Sequence, residues 1–401
     1  MSEWKKVKLG EICERVTSGG TPKANVSSYY NPPTIPWLKT KEVNYCRITE
    51  TENYISEEGL KNSSAKLISP NSVIIAMYGQ GDTAGRIAIN KIPLATNQAC
   101  CNLTIDKSKA DYEFIYYQLC TLYDKLVSLK AGAAQPNLNA RIIKNLEIIM
   151  PSLPIQHRIA SILSRYDSLI ENYQKQIKLL GEAAQRLYKE WFIDLHFPGH
   201  ENTNIIDGVP EGWEKKKVNS IIELQSGFAF KSSTFDDNGT YKIVTIKNVK
   251  DGAFDGDNVS KIVAIPDKMP KHCILADGDI LLSLTGNVGR VCIVNGKSYL
   301  LNQRVAKLAT DYKAFTYCLF RSRDMFIEVN NLANGAAQQN VSPIRIGEMK
   351  ILLPNSELLQ EFESIVFKSI ARIISLQSQL HLLTEARDRL LPKLMSGEIT
   401  I

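Results

Sequence analysis

Long apolar runs are missing from this chain. No stretch of its 401 residues approaches the roughly 18 consecutive apolar positions that a membrane-spanning helix needs. The opening Met1-Ser2-Glu3-Trp4-Lys5-Lys6 has no apolar signal core behind it, so a cytoplasmic protein with no membrane contact is expected. Histidine is scarce: His157, His196, His200, His272 and His381 are read one by one as structural rather than catalytic residues. The eight cysteines form no Cys-x-x-Cys pair. They read as reduced core residues rather than disulfides or zinc ligands, and no metal is expected. A large excess of one charge is absent too. The formal net charge of +6 suits a nucleic-acid binder with its basic groups gathered on one face, but alone it decides little.

What the chain does have is internal repetition. Gly132-Ala133-Ala134-Gln135 recurs as Gly335-Ala336-Ala337-Gln338, an offset of 335 − 132 = 203. The apolar stretches ending at Pro151 and Pro354 keep that offset, as do Gln176–Leu180 against Gln379–Leu383 and Arg186-Leu187 against Arg389-Leu390. Nearer the start the matches shift slightly, as loop insertions would produce. Trp4 and Ser18-Gly19 align with Trp213 and Ser226-Gly227. Trp37–Val43 aligns with Ile243–Val249, Val73–Gly79 with Ile280–Gly286, and Asn97-Gln98 with Asn302-Gln303. So many ordered matches mean a duplication.

Each half opens with about 150 residues of short β-type runs and turns, followed by roughly 40 of helical pattern. Asn295-Gly296 after Arg290–Val294 predicts a hairpin turn that reverses the strand. Pro- and Gly-rich stretches from Phe197-Pro198-Gly199 to Pro210-Glu211-Gly212 mark the crossing between halves. The fold class expected is α+β, with two similar mixed α/β domains and two long helices. The segments are 1–152, a helix at 153–196, a linker at 197–212, 213–355, and a helix at 356–401.

In the first helix Ile155, Ile159, Ile162, Tyr166, Leu169 and Tyr173 step by three and four, and after a slip the stripe resumes at Ile177, Leu180, Ala184, Leu187 and Trp191. The second shows Phe362, Val366, Ile370, Ile373, Leu380, Leu383, Leu390 and Leu394. This is a heptad pattern with a stutter. At about 1.5 Å per residue the first helix is roughly 55 Å long. The stripes either pack on their own domains or on each other. Neither domain is long enough to cover such a stripe, which favours the two helices packing on each other as a coiled pair that holds the domains apart at a fixed distance.

Three motifs point falsely to an enzyme. Asn31-Pro32-Pro33-Thr34 lacks the aromatic with which adenine methyltransferases stack a flipped base, and no methyl-donor glycine loop precedes it. Gly79–Gly85 is followed by strand-like Arg86–Ile89 rather than the helix a dinucleotide loop needs. Gly296-Lys297-Ser298 echoes a P-loop end, but Val291 stands where its first glycine belongs. A non-catalytic chain is expected.

Three further motifs carry a family resemblance. The ending Arg389-Leu390-Leu391-Pro392-Lys393-Leu394-Met395-Ser396-Gly397-Glu398-Ile399, the run Leu187-Tyr188-Lys189-Glu190-Trp191-Phe192-Ile193-Asp194 and the opening Val209-Pro210-Glu211-Gly212-Trp213, with the duplication, resemble the specificity subunit of Type I restriction-modification systems. The resemblance spans the whole chain. It implies two target-recognition domains, each reading one half of a split site in double-stranded DNA. It implies that the two helices form an antiparallel coiled coil, with a pseudo-twofold relating the repeats, which sets the spacing and docks two modification subunits, with ATP-dependent restriction subunits completing the complex. No cofactor is implied on this chain; S-adenosylmethionine, ATP and Mg belong to the partners. Tyr188, Trp191, Phe192, Leu391 and Leu394 become the docking candidates, although the second helix has Leu394-Met395 where the first has Trp191-Phe192.

Base readout calls for Arg, Lys, Asn or Gln at base edges, with cations and hydroxyls on phosphates. Corresponding turns offer Lys39, Lys41, Thr83, Arg86 and Gln135 in the first half, and Lys247, Asn248, Asn287, Arg290 and Gln338 in the second. Each could equally be a solvated loop residue or a turn-bracing side chain. Gln135 and Gln338, retained in both copies, are poor candidates for telling two half-sites apart.

Overall fold

The computed structural model describes residues 4–130, 137–257, 259–333 and 339–401. The chain divides into two compact units, Met1–Leu169 with Thr384–Ile401, and Ile170–Leu383. Both divisions fall inside long helices.

In the first unit, β1 (Lys5–Lys8) pairs antiparallel with β11 (Glu147–Met150). A five-stranded sheet runs β2 (Cys13–Ser18), β10 (Cys100–Ile105), β7 (Val73–Ala76), β8 (Ile87–Asn90), β4 (Cys46–Ile48). A four-stranded sheet runs β5 (Tyr54–Ile55), β3 (Ile35–Leu38), β9 (Leu94–Thr96), β6 (Leu67–Ile68), with β3 and β9 parallel. Short helices are α1 (Glu57–Lys61), α2 (Tyr112–Cys120), α3 (Tyr123–Ser128) and α4 (Ala140–Lys144).

Val73-Ile74-Ile75-Ala76 is apolar without alternation because both faces of β7 are covered. Val73 and Ile75 pack towards Phe114 and Leu119 of α2; Ile74 and Ala76 pack with Leu38 and Leu94 of the smaller sheet. The helical side of that core also takes Ile159 and Leu163 from α5 (Leu153–Tyr188) and Leu394 and Met395 from α9 (Ser356–Ser396).

The second unit repeats this plan after a two-strand hairpin, β12 (Ile205–Ile206) and β13 (Val209–Pro210). β14 (Glu214–Lys217) pairs with β23 (Lys350–Leu353). One sheet runs β15 (Glu223–Ser226), β22 (Val305–Ala309), β19 (Ile280–Ser283), β20 (Val291–Ile293). The other runs β17 (Ser260–Ile262), β16 (Tyr241–Val244), β21 (Tyr299–Leu301), β18 (Ile274–Leu275), with β16 and β21 parallel. Helices α6 (Lys313–Arg321), α7 (Arg323–Ala333) and α8 (Pro343–Gly347) follow. Among the described residues the first of these sheets has no partner for β20 equivalent to β4. The backbone N–H of Gly252 donates to Val291 O at 2.8 Å where Tyr45 donates to Ile87 O at 2.7 Å, but no strand follows.

The expected hairpin at Asn295-Gly296 is corrected. Gly296 does take a positive φ of 101°, but β20 pairs with β19, and β21 lies between β16 and β18. The turn carries the chain from one sheet to the other. All eight cysteines are free thiols, five of them buried. Among the described residues no helix is long and apolar enough to cross a membrane.

Candidate nucleic-acid interface

The carboxyl ends of four strands meet at one edge of the first unit. Backbone hydrogen bonds join them in series: Gly20 N to Thr96 O (2.8 Å), Asn97 N to Leu38 O (2.9 Å), Met77 N to Ala99 O (2.8 Å) and Leu138 N to Met77 O (3.0 Å). The second unit repeats the series with Phe228 N to Leu301 O (2.9 Å), Asn302 N to Val244 O (3.1 Å), Leu284 N to Arg304 O (3.0 Å) and Val341 N to Leu284 O (2.9 Å). The repeated Ser-Gly pairs have a cause here. A Cβ on Gly19 would lie 2.1 Å from Thr96 O, and one on Gly227 would lie 2.2 Å from Asn302 O. Only glycine lets these loops touch. The loops so stitched are surface connections on a rigid sheet, the usual carriers of recognition.

Most of the sequence candidates sit on or beside this seam, in different states. Lys39 donates to Asn53 Oδ1 at 3.0 Å and lies 5.0 Å from the Trp37 ring centre. It lines an open cleft of about 710 Å³ with Thr21, Tyr30, Trp37, Asn53, Tyr54 and Asn97. Lys41 is exposed and paired with Glu52. In the β7–β8 loop, Thr83 Oγ1 donates to Gln80 O at 2.6 Å, and Arg86 pairs with Asp82 at 2.6 Å. That hydrogen bond holds the Asp82 carboxyl below its ordinary pKa. In the second unit Lys247 and Asn287 are exposed and Arg290 is half-buried.

Asn248 is corrected. Its side chain is fully buried, its Oδ1 accepts from Thr245 N and Oγ1, and its Nδ2 donates to Asp255 O. It braces its loop from inside and cannot reach a base edge. Gln135 and Gln338 lie outside the described residues.

The seam also displays residues that sequence reasoning used only as alignment marks. Gln98 and Gln303 are exposed at equivalent places, and Gln98 Oε1 accepts from Thr21 Oγ1. Asn53 in the cleft and the exposed Arg304 were missed altogether. The Asn-Gln repeat at 97–98 and 302–303 was the available signal for the first pair. Nothing in sequence brought Asn53 next to Lys39.

The docking candidates are corrected as a group. Tyr188, Trp191 and Phe192 are 4%, 6% and 7% exposed and sit in the second unit's own core. Phe192 meets Phe315 and Phe362 at ring-centre distances of 5.2 and 4.9 Å, and Trp191 meets Phe362 at 5.7 Å. Leu394 is 1% exposed in the first unit's core, with Leu391 packed against it. Burial within the chain consumes these faces, leaving only Leu391 partly exposed. Leu179 and Leu382, equivalent at 382 − 179 = 203, are instead 53% and 62% exposed on α5 and α9.

These features match known proteins along the whole chain. The MjaIX specificity subunit of a Type I restriction enzyme from Methanocaldococcus jannaschii is 29% identical over 416 residues, covering 100% of this chain and 94% of that protein. The EcoR124I/EcoR124II specificity subunit of Escherichia coli is 28% identical over 198 residues, covering 49% of this chain and 48% of its own. The crystal structure of a Type I S subunit from M. genitalium shares the fold with a TM-score of 0.67 at 18% identity, covering 98% of this chain and 96% of that one. The family profile described as "Type I restriction modification DNA specificity domain" matches residues 1–180 and 210–382, and the chain belongs to that family.

Proposed function

We propose that this chain is a non-catalytic DNA-sequence-specificity subunit of a Type I restriction-modification complex. The observation that carries this reading is the duplicated loop seam. Two copies of one platform, with the same internal stitching and different exposed side chains, suit two half-sites of unlike sequence. Residues 1–152 and 213–355 serve as the recognition domains. In the first, Lys39, Asn53, Asn97 and Gln98 face the cleft or its rim and carry the amide and ammonium groups that base edges take. In the second, Lys247, Asn287, Arg290 and Arg304 take that part. Lys41, Thr83 and Arg86 are assigned to phosphates, which position the domain without reading sequence.

The helices act as the spacer. Within the second unit Tyr188 meets Phe362 edge-on at 6.2 Å, and Ile177 and Ile373 line one pocket. Within the first, Asp167 bonds Arg387 at 2.8 Å. Numbers rising on one helix as they fall on the other support an antiparallel coiled coil, with a pseudo-twofold relating the halves. Leu179 and Leu382 replace the buried aromatics as the docking points, one in each repeat, for two copies of a modification subunit. Restriction subunits complete the assembly, in the cytoplasm.

Methylome sequencing of a methylation-free host carrying this chain and its neighbouring modification subunit tests the reading. Methyladenine at one split motif, lost when this chain is omitted, is expected. No new methylation from an assembled complex overturns it.

A further inference from the structure

A strict seven-residue series runs along α9 through Leu359, Val366, Ile373, Leu380, Arg387 and Leu394. One of the six is charged. On α5 the series Ala160, Asp167, Gln174, Gly181, Tyr188 also carries a single charge. These two meet: Arg387 Nη1 donates to Asp167 Oδ1 at 2.8 Å, with both side chains in the first unit. Asp167 is 5% exposed. Its other oxygen accepts from Arg47 Nη1 at 2.8 Å and Tyr117 Oη at 2.5 Å, and Arg47 reaches on to Glu113 at 2.8 Å.

The duplication supplies an internal control. At an offset of 203, Asp167 corresponds to Ile370 and Arg387 to Ala184. Between the nine-residue helices α2 and α6, Glu113 corresponds to Ala314 and Tyr117 to Cys318. Ile370, Ala184, Ala314 and Cys318 are all buried in the second unit's core. An apolar set therefore stands where the first joint has its ion pair, with Glu363 beside it bonded to the backbone of Ala314 and Phe315. Removal from water costs an ion pair much of its attraction, so stability does not explain why the first joint is ionic.

Selection of one register does explain it. The end of α9 is rich in leucine, at 380, 383, 390, 391 and 394. Leucines seven apart pack almost equally well after a slip of one heptad. The slip would set Leu380 or Leu394 against the buried Asp167, leaving that carboxylate to Arg47 and Tyr117 alone. It would also carry Arg387, which bonds Asp388 as well at 2.7 Å, away from its partner on the other helix, an unfavourable exchange. We propose that Asp167 and Arg387 are positioning residues: a single ionic key, its carboxylate buried, that fixes the register of the two long helices. Resting on the function proposed above, the key thereby fixes the number of unread bases between the half-sites.

The test uses the full chain with bioorthogonal spin labels at the exposed Ser168 and Ala386, both in the first unit. Native sequence should give one distance by double electron–electron resonance. The double variant Asp167→Ile/Arg387→Leu should melt cooperatively and show a second, longer distance, as an axial slip of about 10 Å (one heptad at 1.5 Å per residue) between initially apposed labels requires. Asp167→Ile alone should melt lower than the double variant, and Arg387→Lys should keep the single distance. A folded double variant with one unchanged distance overturns the proposal. So does a double variant that no longer melts cooperatively, because the pair is then needed for folding itself. In the methylation assay the double variant should modify the same half-sites at more than one gap length. Loss of all methylation by the native chain would sink the functional reading while the distances still decide the key.

Discussion

Trp191 and Phe192 show how one residue type serves opposite ends. A Trp-Phe pair closing a long amphipathic helix reads in sequence as an exposed anchor for a partner, yet both rings lie in the second unit's core against Phe362. Phe192→Ala should lower the unfolding free energy by about 3–5 kcal/mol, the usual cost of emptying a buried aromatic site. Denaturant unfolding of the free chain reads this directly. A change near zero, with loss of binding to the modification subunit, would restore the docking role. Leu179→Asp should do the reverse, leaving the melt within about 0.5 kcal/mol while weakening co-purification with that subunit.

At the recognition surface, Asn53→Ala should change methylation at the first half-site only, with the second half-site and the gap retained. Altered bases in both half-sites would remove the cleft from the reading surface. Asn53 also marks the limit of legibility at this scale. Fourteen positions separate it from Lys39, and only the β3–β5 pairing makes them neighbours. Asn248 marks the same limit from the other side, since a polar residue in a loop gives no sign that it points inward.

Elements were easier to foresee where both periodicity and burial agree. The strand-like runs at Val73–Ala76 and Ile280–Ser283 form buried strands, and the long helices α5 and α9 lie within the two stretches of helical pattern. Asn295-Gly296 was harder. The local signal specifies a positive-φ turn, but which sheet receives the next strand depends on β16 and β18, which are distant in sequence.

Capping shows the same non-local dependence. In α2 the Asp111 side chain accepts from Glu113 N and Phe114 N, both at 2.9 Å. Tyr312 takes that place before α6 and makes no such cap. The carboxylate comes instead from α9: Glu363 accepts from Ala314 N at 2.6 Å and Phe315 N at 3.1 Å. Glu363→Ala should therefore cost about 0.5–2 kcal/mol, the range of a lost N-cap, although Glu363 lies in another helix. Glu363→Gln keeps an acceptor and should cost less. Equal losses for both variants, measured by chemical unfolding, would show that the charge and not the acceptor matters.

Across the whole molecule the two halves share a fold but differ in how their joints respond to protons. Burial opposes ionisation of Asp167. Tyr117, Arg387 and Arg47 outweigh it, so its carboxyl titrates below the ordinary value. Glu113 is likewise lowered against its desolvation by Arg47 and Lys91. Carboxylates with depressed values contribute stability that is fully present above about pH 4 to 4.5 and is lost as the pH falls through their folded-state values. In the second unit Glu363 goes the other way. Desolvation raises it despite hydrogen bonds from Ala314 and Phe315, so acid relieves a cost there rather than removing a gain. Acidification below about pH 4.5 should therefore loosen the first unit before the second. The four tryptophans report on this separately, with Trp4 and Trp37 in the first unit and Trp191 and Trp213 in the second. With fluorotryptophan incorporated, the resonances of Trp4 and Trp37 should reach unfolded shifts at a higher pH than those of Trp191 and Trp213. In Asp167→Ile/Arg387→Leu the interval should narrow, because Asp167 no longer titrates. Simultaneous loss of all four resonances in the native chain would mean that the ionic joint does not set the acid sensitivity of its unit.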